Sequence, residues 1–260
     1  MRLLMITLCC WLMVPAAGLA APVVLFDQGH AQPFHAQGSG PYDLAGLAGS
    51  FAAAGYEIRV ATGPLDNGVL AGVAALVISG AFQPLTAGEL AELQRFLAAG
   101  GGVAVMLHVA PPAAGLLGAL GVEYANGIVH ERHNVIGDSP QQFRVRALAD
   151  HPLTAGLDDF ALYGGWALRG AVPAVETLAW TSPQAWVDLD RDRQPGPGDP
   201  VGAFGVMVAG SIGAGRFVVF GDDAIFQNRF LDENNRRLAA SLAEWLRPGH
   251  TTGTMEPKLQ

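Results

Sequence analysis

Uninterrupted apolar runs constrain this chain more than any other feature. "VVLFD" (23–27), "AALVISG" (74–80) and "GGVAVMLH" (101–108) are short, rich in β-branched residues, and apolar at consecutive positions. A strand with no polar alternation is buried on both faces, as happens in a parallel sheet covered by helices on either side. The intervening segments supply such helices. "YDLAGLAGSFAAAG" (42–55) carries apolar residues at helical spacing and stops at Gly55. "YEIRVA" (56–61) follows as a second strand. "TAGELAELQRFLAAGG" opens on Thr86 with Glu89 three residues on, a capping box, and ends at Gly100. The order βαββαβ predicts an α/β fold with a mostly parallel sheet and helices on both faces.

The C-terminal part is richer in β. "QFRVRAL" (142–148) and "VETLAWTS" (175–182) read as strands. Residues 204–222 read as a hairpin turning near Gly213–Gly215, and "LDENNRRLAASLAEWL" (231–246) reads as an amphipathic closing helix. One domain is expected over residues 21–247, with a disordered tail at 248–260.

Residues 1–20 have the pattern of a signal peptide: Arg2, an apolar stretch from Leu3 to Val14, and small residues at Gly18 and Ala20. Cleavage after Ala20 implies a periplasmic or secreted protein with no transmembrane segment left; a retained N-terminal anchor is the alternative. Cys9 and Cys10 leave with the leader. The mature chain then has no disulfide, no thiolate zinc site and no cysteine nucleophile. The formal charge of −8 becomes −9 without Arg2, which argues against nucleic acid and anionic membrane as partners.

Open parallel sheets bind ligands beyond the carboxyl ends of their strands. Here those ends deliver Asp27, Gln28 and His30, then Ser79, then His108, then Asp222 and Asp223 with Asn228 close behind. Their convergence predicts a pocket for a small polar ligand, such as a carbohydrate or a peptide end. Polar strand ends and helix caps would also read this way. There is no Gly-x-Ser-x-Gly elbow, and "HVAPP" (108–112) stands where a nucleophile would follow the fourth strand. A metal-dependent hydrolase built on His30, His108 and aspartates is the alternative. "HERH" (130–133) lacks zinc-site spacing and reads as an exposed polar loop. His151 reads as structural. A third option is a structural or interaction module of the cell envelope, docking an envelope protein. Trp166 and Trp186 would then be exposed anchors, although core packing is their simpler role.

"DLDRDRQPGPGD" (188–199) places carboxylates at loop positions 1, 3, 5 and 12, namely Asp188, Asp190, Asp192 and Asp199, with Gln194 offering a carbonyl at position 7. That is the oxygen spacing of a calcium loop. Arg193 replaces the usual glycine at position 6, and Asp199 is shorter than the usual glutamate. A structural Ca2+ is expected, against a solvated loop in which Arg191 and Arg193 neutralise the aspartates.

"FDQGH", "ISGAF", "GGGVAVMLH", "DHPLTAGL" and the block "GDDAIFQN" together resemble class I glutamine-amidotransferase-like domains. The resemblance is to an exported bacterial branch without the catalytic cysteine, related to GIFT-type domains. It covers roughly residues 22–247. It implies a flavodoxin-like three-layer αβα sandwich and no amidotransferase activity.

Overall fold

The computed structural model describes residues 20–108 and 110–249. The signal-peptide reading of residues 1–19 and the tail after residue 249 lie outside them. The elements run β1 (Val23–Asp27), α1 (Ala45–Ala53), β2 (Glu57–Ala61), α2 (Asn67–Leu70), β3 (Val73–Ser79), α3 (Ala87–Ala98), β4 (Gly102–Met106) and α4 (Ala110–Ala119). There follow β5 (Val122–His130), β6 (Val135–Ile136), β7 (Ser139–Val145), β8 (Ala147–Leu148), β9 (Phe160–Leu162), β10 (Trp166–Gly170), β11 (Val175–Trp180) and β12 (Trp186–Asp188). The chain closes with β13 (Gly205–Ile212), β14 (Gly215–Phe220), two short 3-10 turns at Ala224–Phe226 and Asn228–Phe230, and α5 (Glu233–Trp245).

The main sheet has 11 strands in the order β12-β5-β10-β13-β14-β4-β3-β1-β2, with β11 on β13 and β8 on β11. The strands β2-β1-β3-β4-β14 are all parallel. Beyond β14 every pairing in this sheet is antiparallel. The expectation of a mostly parallel sheet therefore holds for the N-terminal half only. The sheet is mixed because the hairpin β13–β14 inserts its second strand parallel to β4 and leaves its first facing the antiparallel half. A separate three-stranded sheet, β6-β7-β9, lies alongside.

The apolar runs are buried on both faces as their sequence requires. Val24 and Phe26 of β1, and Val218 and Phe220 of β14, share one core with Leu47 and Phe51 of α1 and Leu238 and Leu242 of α5. Leu25, Phe217 and Val219 point the other way, into a core with Leu93 and Leu97 of α3 and Leu116 and Leu117 of α4. Alternate residues of one strand thus serve two cores. Each fully buried large side chain contributes about 1.5–3 kcal/mol. The capping box of α3 is present, with Thr86 Oγ1 accepting from the Glu89 N–H and the Glu89 carboxylate accepting from the Thr86 N–H.

Two elements went against their local sequence. Asp66 caps a single helical turn, α2, by accepting from the Val69 N–H, inside a stretch with no helical period. Asn126-Gly127 reads as a turn yet lies in the middle of β5. Gly127 is needed there because β12 passes so close that a Cβ would stand 2.3 Å from the Asp188 carbonyl oxygen.

Candidate functional site

The carboxyl edge of the parallel strands does gather the predicted polar residues, but it divides them into two groups. The first is closed. His30, 5 % exposed, places Nδ1 2.8 Å from Asp27 Oδ2 and Nε2 3.0 Å from Glu89 Oε1. Asp27 also accepts from the Gly29 N–H at 3.0 Å and from Gln32 Nε2 at 2.5 Å, and Gln32 Oε1 accepts from the His30 N–H at 2.7 Å. Glu89 accepts further bonds from the Leu65 N–H and from the N–H and hydroxyl of Thr86. The Asp27 contact, aided by the charges of Asp27 and Glu89, raises the pKa of His30 against the opposing pull of burial. Burial pushes Glu89 up, but its donors and the His30 charge outweigh it and hold the carboxyl at about 2. The result is an imidazolium clamped between two carboxylates, with no ring nitrogen left for a ligand. Glu89 and Gln32 were not among the expected site residues. Glu89 was hidden by its evident role as a helix cap.

The second group is open. His108, which follows β4, has a side chain 41 % exposed, and its Nδ1 lies 3.1 Å from Asp223 Oδ1. Its Nε2 has no partner among the described residues. The rings of Phe34 and Phe82 flank it at centroid distances of 5.5 and 5.0 Å. Asp223 is buried, and its Oδ2 has no hydrogen-bond partner; neither has the buried hydroxyl of Ser79. Gly80, at φ +62°, packs against this carboxylate: a Cβ there would lie 2.6 Å from Asp223 Oδ2 and 3.0 Å from the Phe34 ring. Asp222 accepts from the N–H groups of Tyr163 (2.7 Å) and Ala224 (2.9 Å). Burial, with Asp223 beside it, holds Asp222 up at about 7. The Asp223 contact raises His108 against its partial burial. The void beneath His108 is only about 10 Å3, so a ligand here would lie across the edge rather than inside it. Phe34 and Phe82 gave no sequence signal, because isolated aromatics in loops carry no periodicity.

The remaining predicted residues serve the scaffold. Asn228 accepts from the Gly46 N–H and donates to the carbonyls of Gly40 and Gly38, stapling the 38–46 loop. Gln28 is half-buried and lies 2.6 Å from His35 Nδ1. "HERH" is an exposed loop only in its second half, at Arg132 and His133: His130 ends β5, is buried and stacks on Trp186 at 4.8 Å. The buried Glu131 carboxylate accepts from the N–H groups of Arg132, His133 and Ser182 and from the Ser182 hydroxyl. Trp166 and Trp186 are buried, not exposed anchors. His151 lines a cleft of about 820 Å3 at the opposite end of the strands, with Glu176, Arg216 and Trp245. Burial lowers the pKa of His151 there.

In the acidic loop, one oxygen each of Asp188, Asp190 and Asp192 lies within 4.8 Å of the others. Asp188 is buried and also accepts from the N–H groups of Arg191 and Arg193. Arg193 takes φ 64°, so the loop makes its sharp turn without glycine. Asp199 turns instead to the N–H groups of Leu189 and Gly196. Gln194 donates its N–H to Asp192. Among the described residues this is the one cluster of three or more His, Cys, Asp or Glu with metal-ligand spacing. Among the described residues neither His30 nor His108 belongs to such a cluster.

Fold and edge together define a mixed α/β domain whose polar strand ends form one sealed network and one open imidazole–carboxylate pair. Residues 33–243 match the family described as a domain of unknown function, DUF4350, and the chain belongs to that family. Its fold is shared with the N-terminal domain of mmIFT52 (TM-score 0.70, 17 % identity, covering 88 % of this chain and 99 % of that one). A cytoplasmic protein of Salmonella typhimurium LT2 is similar at TM-score 0.57 and 14 % identity, over 87 % of this chain and 99 % of that one. A ThuA-like protein from Parabacteroides merdae ATCC 43184 is similar at 0.53 and 13 %, over 91 % and 93 %. At these identities the likeness is one of fold. No curated protein matches the sequence. The family match overturns the resemblance to class I glutamine-amidotransferase-like domains, for no such family is indicated. The motifs that suggested it have structural uses here: "FDQGH" builds the His30 clamp, and "ISGAF" supplies the Gly80 turn against Asp223.

Proposed function

We propose that this chain is a binding module that holds a small polar ligand, of carbohydrate type, on the carboxyl edge of its parallel strands, centred on His108. One observation carries the reading. An exposed imidazole is held on one nitrogen by a buried carboxylate, is open on the other, and stands between two aromatic rings. An aromatic face takes the C–H side of a sugar ring, while an oriented N–H or lone pair takes a hydroxyl. The site lies near the β1/β3 switch point of the strand order β2-β1-β3-β4-β14, where open α/β sheets commonly bind ligands. That order, with helices over both faces, also favours the finer description of the parallel half as a flavodoxin-like three-layer sandwich. The leader pattern supports export to the periplasm or beyond, which N-terminal sequencing of the protein from its host would test.

Saturation-transfer NMR with glucose, galactose, mannose and N-acetylglucosamine tests the site. Transfer to at least one sugar is expected with the wild type and should vanish in His108→Ala. Equal transfer from both proteins, or none from either, would overturn the reading.

The acidic loop favours a second, independent role. Asp188, Asp190 and Asp192 are proposed to hold a structural Ca2+ that pins residues 188–199. Melting in millimolar Ca2+ should exceed melting in EDTA by a few degrees, and Asp190→Asn should shrink the difference. Identical melts would sink this proposal.

A further inference from the structure

The site around His108 does not stop at His108. Moving across the edge, the end of β3 presents Phe82, 42 % exposed, and the end of β4 presents His108. The end of β14 places Asp222 and Asp223 beneath the edge, both buried. The next group is a second aromatic platform. Tyr163, whose N–H bonds Asp222 Oδ2, stacks on Phe230 at 4.2 Å. Phe230 in turn meets Tyr42, 46 % exposed, at 6.3 Å. Arg229 lies over the Phe230 ring at 5.5 Å, and its Nη1 donates to the Tyr42 hydroxyl at 3.1 Å. The exposed edge therefore reads aromatic, imidazole, aromatic, with the two carboxylates buried beneath it. Strand β4 separates β3 from β14, so the strand ends that lead to Phe82 and to Asp222, the partner of the Tyr163 N–H, stand two strand spacings, roughly 10 Å, apart.

We infer that the edge binds an oligosaccharide of several units lying across the strands, with one sugar on Phe82 and another on the Tyr163–Phe230–Tyr42 platform. The inference rests on the carbohydrate reading above and extends it. The spacing exceeds one sugar ring, so a monosaccharide reaches one platform at a time. Each platform pairs an aromatic face with polar groups at its rim: His108 beside Phe82, and Arg229 with the Tyr42 hydroxyl beside Phe230. A sugar presents that same combination of an apolar face and a hydroxylated rim, repeated at each unit. The void beneath His108, about 10 Å3, is too small to enclose a sugar, so the proposed ligand lies on the surface.

The experiment is calorimetric titration of the full chain with gluco-, manno- and chito-oligosaccharides of one to six units. For at least one series, the tetramer is expected to bind at least tenfold more tightly than the monomer. Phe230→Ala and the more exposed Tyr42→Ala should each abolish that gain, so that tetramer and monomer bind alike. Phe82→Ala should weaken both, and His108→Ala should abolish all binding. Tyr42→Ala keeps the test valid if Phe230→Ala melts early. Length-independent binding that is lost in His108→Ala would overturn the extended site and leave the single-site reading intact. If no sugar binds but acetate or a proline-rich peptide shifts the His108 ring resonances, the site has another ligand and the inference fails. If none of these probes moves His108, both readings fail.

Discussion

Two histidines stand at the same edge of the same sheet and have opposite surroundings. His30 follows β1 and has a carboxylate on each ring nitrogen, with Asp27 and Glu89 both buried. His108 follows β4 and has a carboxylate on one nitrogen, with nothing described on the other. Both have raised pKa values because each touches an aspartate. A perturbed imidazole is therefore not by itself a mark of a site. The second ring nitrogen makes the difference. When it is filled, the histidine crosslinks strand β1 to helix α3; when it is open, the histidine can meet a ligand.

The largest expected effect breaks the sealed side. His30→Ala leaves two buried carboxylates facing an empty space without their shared cation. Losing one partner of a buried charged network costs about 3–5 kcal/mol, so urea denaturation should show the variant near the limit of folding. A loss below about 1 kcal/mol would mean that the clamp is not closed in solution. Gly80→Ala perturbs the open side. The substitution forces a left-handed alanine against the Asp223 carboxylate and the Phe34 ring. A cost of about 2 kcal/mol is expected, together with a shift of the His108 ring resonances and none at His30.

The pH dependence sharpens the same contrast. His30 is raised, so its contribution is complete below the unfolded imidazole value near 6.5 and is lost as pH rises through its folded value. Asp222 is also raised, so its contribution declines as pH climbs from the usual carboxyl range through about 7. Glu89 is depressed, and its contribution is complete above the ordinary glutamate value and is lost as pH falls towards about 2. Stability should therefore peak in mildly acidic solution and fall on both sides. His30→Gln should flatten part of the fall above pH 6.5. An unchanged slope in that variant, measured by urea melts from pH 5 to 9, would assign the alkaline decline to other groups.

The buried parallel strands were legible in the sequence because a doubly buried strand needs consecutive apolar residues, and β1, β3 and β4 have them. The hairpin β13–β14 and helix α5 were legible for similar reasons. Strand β5 was not, since its pattern is broken by Asn126-Gly127, a pair required by the close passage of β12 and not by a turn. The polar edge was legible as a set, because Asp27, His30, His108 and Asp223 each end a recognisable strand. Its division into closed and open halves was not. That division depends on Glu89, which reaches His30 from 59 residues away, and no local pattern announces such a contact. The aromatic rings around His108 come from loops, where spacing carries no information about which residues meet.

The smallest stability effect should come from His108→Ala, and it tests the comparison most directly. The substitution removes one hydrogen bond from Asp223, whose other oxygen already lacks a partner. It also opens the buried carboxylate to water, which limits the penalty to about 1 kcal/mol. A closed histidine and an open one thus separate on two measurements. His30→Ala should unfold the protein readily, and whatever remains folded should still bind the sugar. His108→Ala should melt close to the wild type and bind nothing. If His108→Ala were as destabilising as His30→Ala, the open pair would be a second structural clamp, and its exposed nitrogen would have no functional meaning. If it melts normally but keeps full binding, the site centred on His108 is overturned, and any ligand contacts the aromatic rings alone. The imidazole would then serve to hold Phe34 and Phe82 in place, and the unpartnered oxygen of Asp223 would have to be explained by water rather than by a ligand.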